Sequence, residues 1–229
     1  YYLDVRVTDS GGLQRTAQIA VEVEPRAVKR EYWSGINGNL VSNLTSHANF
    51  PNNPNSVTYQ AFFETPSNIA ENYGQRLSGY LRAPDSGTFT FWIASDDGGE
   101  LWLSTDSNPS NKVRIAYHTG ATNSREWEKY ATQKSNPITL EGGKFYYIEA
   151  LHKEGAVGDN LAVSWSGPDF DQVILGAPHV TQQFYNHEGP TLNDKSVTVF
   201  ERDGTVTTLE AKDWANPGTT VTYSITGGN

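Results

Sequence analysis

The sequence predicts an all-β protein, and three observations support this prediction. Apolar and polar residues alternate over short runs, as they do on strands that bury one face. Glycine, proline and asparagine interrupt these runs, with 21 Gly and 11 Pro among the 229 residues. No stretch of useful length shows apolar residues at the helical spacing. We therefore expect a sandwich or barrel-like core with long loops.

The first predicted element is a hairpin. Residues 3–8 alternate, Asp9-Ser10-Gly11-Gly12 is a typical turn cluster, and alternation resumes over residues 17–24. Two alternating runs joined by a short turn that contains glycine are typical of antiparallel strands.

The central part of the chain, residues 29–186, is expected to form the main domain. Its short apolar runs lie at residues 77–81, 87–94, 100–103, 113–117, 145–152 and 161–165. Four of its tryptophans (Trp33, Trp92, Trp102 and Trp165) fall in or beside predicted strands, so we expect them to pack in the core rather than to stack on a ligand. Trp127, in a loop-rich stretch, is expected to be more exposed, although packing is favoured there too.

The C-terminal part predicts three more short strands, at residues 197–200, 206–209 and 221–225. Each chain end is too small to fold alone, because isolated hairpins are marginal in water. We therefore expect residues 1–28 and 187–229 to pack on each other as one small sandwich that the central domain splits. The alternative is that each end belongs to a different neighbouring module.

Composition excludes several classes of function. Lys and Arg number 17 against 26 Asp and Glu, a net charge of −9, so we expect no nucleic-acid partner. The chain has no cysteine, which excludes disulfides, thiolate metal sites and thiol nucleophiles. The sequence contains no run of about 18 apolar residues, so it predicts no membrane-spanning helix. Local signatures of catalytic triads and phosphate-binding loops do not occur, so we expect no enzyme and no catalytic residues.

Two adjacent carboxylates end the apolar strand at residues 89–94. Asp96 and Asp97 are followed by Gly98. On an extended chain, neighbouring side chains point to opposite faces, so both carboxylates reach one ion only across a cis peptide bond. Calcium, which takes oxygen ligands, is the ion expected for such a pair. An ordinary turn, in which Asp bonds its own backbone, is the alternative.

The second candidate segment is the loop that follows the run at 145–152. Residues 153–160 combine glycines with oxygen donors, and glycine lets backbone carbonyls turn toward an ion. Asp159 is the best side-chain ligand in this loop. Lys153 is expected either at the rim of the loop or as a solvated charge, and we favour the solvated charge.

Residues 31–170 resemble the PA14 domain family, which occurs in adhesins, toxins and some glycosidases. The matching stretches are residues 78–84, 86–92, 95–98 with 100–103, and 146–155. The resemblance implies a β-sandwich whose lectin members bind sugars through a calcium ion held by a cis Asp-Asp pair. The implied metal ligands are Asp96, Asp97, Gly158 and Asp159. The implied sugar-binding residues are Asp96, Asp97, Lys153, Glu154, Gly158, Asp159 and Asn160.

The chain ends resemble a cadherin-like repeat. Residues 2–12 look like its last strands, and residues 209–213 with 221–228 look like its opening strands. The calcium motif of that repeat would place a second aspartate two residues after Asp213, where this chain has Ala215. The resemblance therefore implies a second, smaller cadherin/Ig-like sandwich without a clear calcium site.

These observations predict a calcium-dependent lectin module of a bacterial cell-surface adhesin. We expect a monomeric, extracellular module within a larger chain, which binds vicinal hydroxyls of fucose- or glucose-type pyranoses on cell-surface glycans. One alternative is an accessory domain of a glycoside hydrolase, whose paired carboxyls would lie about 5–9.5 Å apart across the scissile bond. The other is a structural or protein-docking domain that binds no sugar.

Overall fold

The computed structural model describes residues 28–182 in full and residues 2–8 and 14–20 as backbone. The chain divides into two compact units, Pro25–Asn186 and a second drawn from both chain ends. In that second unit, strands β1 (Tyr2–Thr8) and β2 (Gln14–Ala20) pair antiparallel with Tyr2 opposite Ala20, which confirms the predicted hairpin. The strands predicted between residues 197 and 225, and the cadherin-like sandwich they would complete, lie outside the described residues.

The unit Pro25–Asn186 is a sandwich of two antiparallel sheets, as predicted. Its larger sheet has seven strands in the order β4-β3-β5-β10-β7-β8, with β13 also paired to β5, and its smaller sheet has the order β12-β11-β6-β9. The elements are β3 (Val28–Ser34), α1 (Val41–Thr45), β4 (Ser56–Gln60), β5 (Tyr73–Arg82), β6 (Gly87–Asp96), β7 (Gly98–Ser104), β8 (Lys112–His118), β9 (Ile138–Leu140), β10 (Phe145–Glu154), β11 (Asn160–Gly167), β12 (Phe170–Ile174) and β13 (Val180–Thr181).

The core lies between the two sheets and follows the predicted alternation. From the smaller sheet β6 and β11 contribute every second residue, and from the larger sheet β5, β7 and β10 do the same. Trp165 stacks on Phe89 with ring centroids 5.4 Å apart. Trp33, Trp92 and Trp165 are buried, which confirms a packing role for these three, whereas Trp102 and Trp127 are half-buried. The central buried residues are Leu77, Leu81, Phe89, Phe91, Ile93, Leu101, Ile148, Leu161, Val163 and Trp165.

The segment between β3 and β4 covers part of the outer face of the larger sheet. It contains the helix α1, which the sequence did not predict because five residues are too few to show a period. Leu44 packs with Trp33 and Ile36, directly above Gly74. A Cβ atom on Gly74 would lie 2.6 Å from Leu44 Cδ1, so the helix rests on the bare backbone of β5. The segment thereby passes over the ends of β5 and β10. Among the described residues, no helix is long and apolar enough to cross a membrane.

An ion-pair ladder crosses the rest of that outer face. The Glu31 carboxylate accepts from Lys29 Nζ at 2.8 Å and from Arg76 at 2.6 Å. The Glu149 carboxylate accepts from Lys112 Nζ at 2.8 Å and from the Tyr147 hydroxyl at 2.7 Å. Both glutamates are buried and their cations are partly exposed, so β3, β5, β10 and β8 are joined by alternating charges.

Candidate functional site

Strand pairing brings the two predicted segments to one end of the sandwich. β6 ends at Asp96 and β11 begins at Asn160, and these two residues face each other across the smaller sheet. In the larger sheet Gly98, the first residue of β7, pairs with Lys153 near the end of β10. The crossing from β6 to β7 therefore lies against the loop from β10 to β11.

Three carboxylates converge at this point. The peptide bond between Asp96 and Asp97 is cis, the geometry that the resemblance implied. Carboxylate oxygens of Asp96, Asp97 and Glu154 all lie within 4.8 Å of one another. Two oxygens that ligate one calcium ion at about 2.3–2.6 Å are at most about 5 Å apart. The spacing of the three groups therefore fits one shared cation.

Glu154 is the most unusual member of this group. It is fully buried, and neither of its carboxylate oxygens has a hydrogen-bond partner within the protein. Burial, followed by the negative charges of Asp97, Asp96 and Asp159, raises the pKa of Glu154 to about 8, against a smaller lowering by Lys153. Buried polar groups are almost always paired, and an unpaired carboxylate is costly. A bound cation would satisfy both oxygens.

The sequence analysis named Glu154 as a sugar contact and not as a candidate metal ligand. In β10 it shares the core-facing register with Ile148 and Ala150, because strand side chains alternate. An acidic residue at a core-facing position, directly before a glycine, is the signal in the sequence that would have indicated this role.

Asp159 has a different environment from the three converging carboxylates. Its Oδ2 accepts from the backbone N–H groups of Ile69 at 2.6 Å and Ala70 at 3.2 Å, while its Oδ1 is buried without a partner. It lies outside the three-carboxylate group, but its charge contributes to raising the pKa of both Asp96 and Glu154. For Asp96 the largest cause of that raised pKa is burial, followed by the charge of Asp97.

The two glycines of the loop approach the aspartates closely. The Gly155 N–H donates to Asp97 Oδ2 at 3.0 Å, and a Cβ atom on Gly155 would lie 3.1 Å from that oxygen. A Cβ atom on Gly158 would lie 3.5 Å from Asp96 Oδ2, which is an ordinary contact. Gly155 is thus the position where a side chain would crowd the site, whereas the carbonyl role predicted for Gly158 stays a prediction.

Lys153 corrects an expectation. The sequence favoured a solvated charge, but Lys153 is fully buried. Its ammonium group donates to the carbonyl of Gly38 at 2.5 Å and to the carbonyl of its neighbour Glu154. The expectation was wrong because residues 38–40 pass over the end of β10, a contact between parts of the chain 115 residues apart. Burial lowers the pKa of Lys153, against a raising by the negative charges of Glu154 and Asp97.

The last predicted residue, Asn160, connects a further loop to the site. It is buried, and its Nδ2 donates to the carbonyl of Thr122 at 2.9 Å, while its Oδ1 has no partner within the protein. The same loop carries Lys129, whose charge opposes the raised pKa of Asp96. In the loop between β10 and β11, Val157 is 94% exposed with φ of +88°, so this loop presents a branched apolar side chain to solvent.

Comparison with solved structures identifies the same architecture in sugar-binding proteins. The PA14 sugar-binding domain from an RTX adhesin matches with a TM-score of 0.53 and 15% identity, over 69% of this chain and 99% of that one. The Epithelial Adhesin 6 A domain from Candida glabrata, solved in complex with Galβ1-3GlcNAc, matches with a TM-score of 0.51 and 14% identity, over 71% and 89%. At these identities the likeness concerns the fold.

Curated relatives share the domain within much longer proteins. N-acetyl-beta-glucosaminyl-glycoprotein 4-beta-N-acetylgalactosaminyltransferase 1 of Mus musculus is 31% identical over 157 residues, which are 63% of this chain and 14% of that protein. Fibrocystin-L of Homo sapiens is 43% identical over 84 residues, 37% of this chain and 2% of that protein. The chain thus spans only a small part of these relatives. The family model of the PA14 domain matches residues 27–177, and the chain therefore belongs to the PA14 domain family.

Proposed function

We propose that this chain is a calcium-dependent carbohydrate-binding domain, with Asp96, Asp97 and Glu154 as the principal metal ligands. The observation that carries the proposal is the Glu154 carboxylate, which is buried without a hydrogen-bond partner beside the aspartate pair. The donor set consists of hard oxygen atoms, which suits calcium rather than a transition metal.

The residues around the three carboxylates support the same choice of ion. Calcium takes about 6–8 oxygen ligands. If each of the three carboxylates supplies one oxygen, further ligands are needed. Asp159 and Asn160 each have a buried side-chain oxygen without a partner within the protein, so they are candidates for further ligands together with the Gly158 carbonyl. When all four are ionised, Asp96, Asp97, Glu154 and Asp159 would carry four negative charges against one positive charge on Lys153, a balance that favours a divalent cation.

A bound calcium ion would supply a Lewis-acidic centre that accepts two vicinal hydroxyls of a pyranose in place of water. The protein would supply the orientation of the sugar ring, through the rim of the loop at residues 155–160. We propose cell-surface glycans as partners, with fucose- or glucose-type rings as the sequence-based expectation. A solved relative of the same fold carries Galβ1-3GlcNAc, so galactose-containing disaccharides belong among the ligands to test.

We place the domain outside the cell, as part of an adhesin-like surface protein. The family and its sugar-binding adhesin relatives support this location. The bacterial source stays a prediction, because the sequence relatives named above are mammalian proteins.

Binding without catalysis is the better account of the carboxylates. They share one point within 4.8 Å, whereas the paired carboxyls of a glycosidase act on opposite sides of a bond. A glycosyltransferase is among the relatives, but this chain corresponds to 14% of its length. We therefore favour a recognition domain over the accessory domain of a glycoside hydrolase and over a protein-docking domain.

Glycan-array binding with calcium and with chelator tests the proposal. We expect wild-type binding that chelator abolishes, and loss of binding in Asp97→Asn and Glu154→Gln. Asp171→Asn is the matched control, because Asp171 is exposed on β12 outside the three-carboxylate group. Binding that survives chelator and both substitutions would contradict the calcium mechanism. No binding under any condition would favour the protein-docking alternative.

A further inference from the structure

The backbone carbonyl of Asp96 is held from the inner side by a buried side chain. His152 Nε2 lies 2.6 Å from this carbonyl oxygen, and His152 is fully buried. The nearby Ser95 hydroxyl donates to His118 Nε2 at 3.2 Å, because His118 Nδ1 donates the ring proton to the Gly120 carbonyl.

The direction of the hydrogen bonds through His152 is fixed by Arg30. Arg30 Nε donates to Gln75 Oε1 at 2.6 Å, and because a guanidinium only donates, the amide oxygen of Gln75 faces Arg30. The amide nitrogen of Gln75 then donates to His152 Nδ1 at 2.8 Å. The single proton of the neutral imidazole is therefore on Nε2, which donates to the Asp96 carbonyl.

We infer that His152 is a positioning residue of the cation site, and that Arg30 and Gln75 orient His152. With the Asp96 carbonyl bound on the inner side, the aspartate pair is held with its side chains toward the Glu154 carboxylate. The inference rests on the proposed calcium-binding function. It adds three residues to the site, and two of them, Arg30 and Gln75, lie well outside the segments that the sequence singled out.

Stability alone does not account for this arrangement. His152 occupies a core-facing position of β10, in line with Ile148 and Ala150. Replacing buried hydrogen-bonded partners with apolar groups of similar shape is often neutral or stabilising, because each polar group loses its water. A chain of three polar side chains, Arg30, Gln75 and His152, that ends on the backbone of Asp96 therefore points to the geometry of the site.

Calcium titration calorimetry on the 229-residue chain tests the inference, at a temperature where circular dichroism shows every variant folded. Removal of an outer partner of a metal ligand typically weakens binding about 10–100-fold, so we expect that loss for His152→Met. A smaller loss is expected for Arg30→Met, which removes the donor that orients Gln75. His152→Gln keeps a donor that reaches the Asp96 carbonyl and is expected to retain most of the affinity. Ser135→Ala is the control, because this buried serine bonds Phe91 away from the aspartates, and it should lower stability without changing calcium affinity.

The outcomes separate the inference from the proposed function. Wild-type affinity in His152→Met would overturn the positioning role while calcium binding stands. Equal losses in His152→Met and His152→Gln would overturn the role of the donated proton. A wild-type chain that binds no calcium would overturn the proposed function and the positioning role with it. Should His152→Met not fold, Arg30→Met keeps the inference testable, because Arg30 is only partly buried, and wild-type affinity in this variant would overturn the orienting role.

Discussion

Calcium binding should depend steeply on pH, because Glu154 must lose a proton to serve as a ligand. Its pKa is raised to about 8 in the metal-free protein, so the carboxyl group is mostly protonated at neutral pH. From that value, calcium binding releases about 0.9 proton from Glu154 at pH 7 and about 0.1 proton at pH 9. The apparent affinity should then rise about 50-fold between pH 6 and pH 8 and little above pH 9.

Isothermal calorimetry in two buffers of different ionisation enthalpy measures both quantities, since the heat difference gives the number of protons released. Glu154→Gln is the matched variant, because an amide has no proton to lose. We expect it to bind calcium more weakly at pH 8 and to show a much smaller rise from pH 6. A wild-type affinity that is constant from pH 6 to pH 8, with no proton release, would refute the assignment of Glu154 as a ligand.

Three further predictions follow from the same geometry and from the sheet that supports it. Calcium at about 100 times its dissociation constant should raise the melting temperature by about 5–10 °C over that in chelator, since it contributes about 2.7 kcal/mol. The metal-free protein should lose stability as pH rises from 5 to 8, because the folded state keeps a proton on Glu154 that the unfolded state releases, and a flat melting temperature in chelator would contradict this. Glu149→Leu leaves Lys112 and the Tyr147 hydroxyl without their partner, so it should lower the free energy of unfolding in urea by about 2–3 kcal/mol. The control Glu141→Leu removes an exposed ion pair with Lys144 and should lower it by under about 1 kcal/mol. Equal losses in the two variants would refute a special role for the ladder.

The strands of the sandwich and half of the site were predictable from local pattern. Alternation over residues 87–94 and 145–152 identified β6 and β10, because one face of each strand packs in the core between the sheets and the other face points away from it. The aspartate pair was found because adjacent carboxylates at a strand end are chemically conspicuous. The helix α1 was missed, since its five residues contact the sheet through Val41 and Leu44 and show no period of their own.

Most of the buried ionisable residues were not predictable, because their burial depends on distant parts of the chain. Lys153 looks like an ordinary surface charge in the sequence, and only the core-facing register of Glu154 indicates its burial. They are buried because residues 38–40 and 68–72 close over the end of β10, through contacts such as that of Asn72 N–H with the Gly155 carbonyl at 2.9 Å. His152 likewise acquires its role only where Gln75 and Asp96 meet it in space.

The burial of Lys153 separates two tasks that an exposed lysine would combine. A lysine on a flexible surface arm would relieve repulsion among the carboxylates when the site is empty, but it would also have to leave before a metal ion could enter. The Lys153 ammonium is fixed on the carbonyls of Gly38 and Glu154, so it cannot swing onto the carboxylate oxygens. It would therefore act as an internal counter-charge, which reduces the repulsion in the empty site without competing with the ion for its ligands.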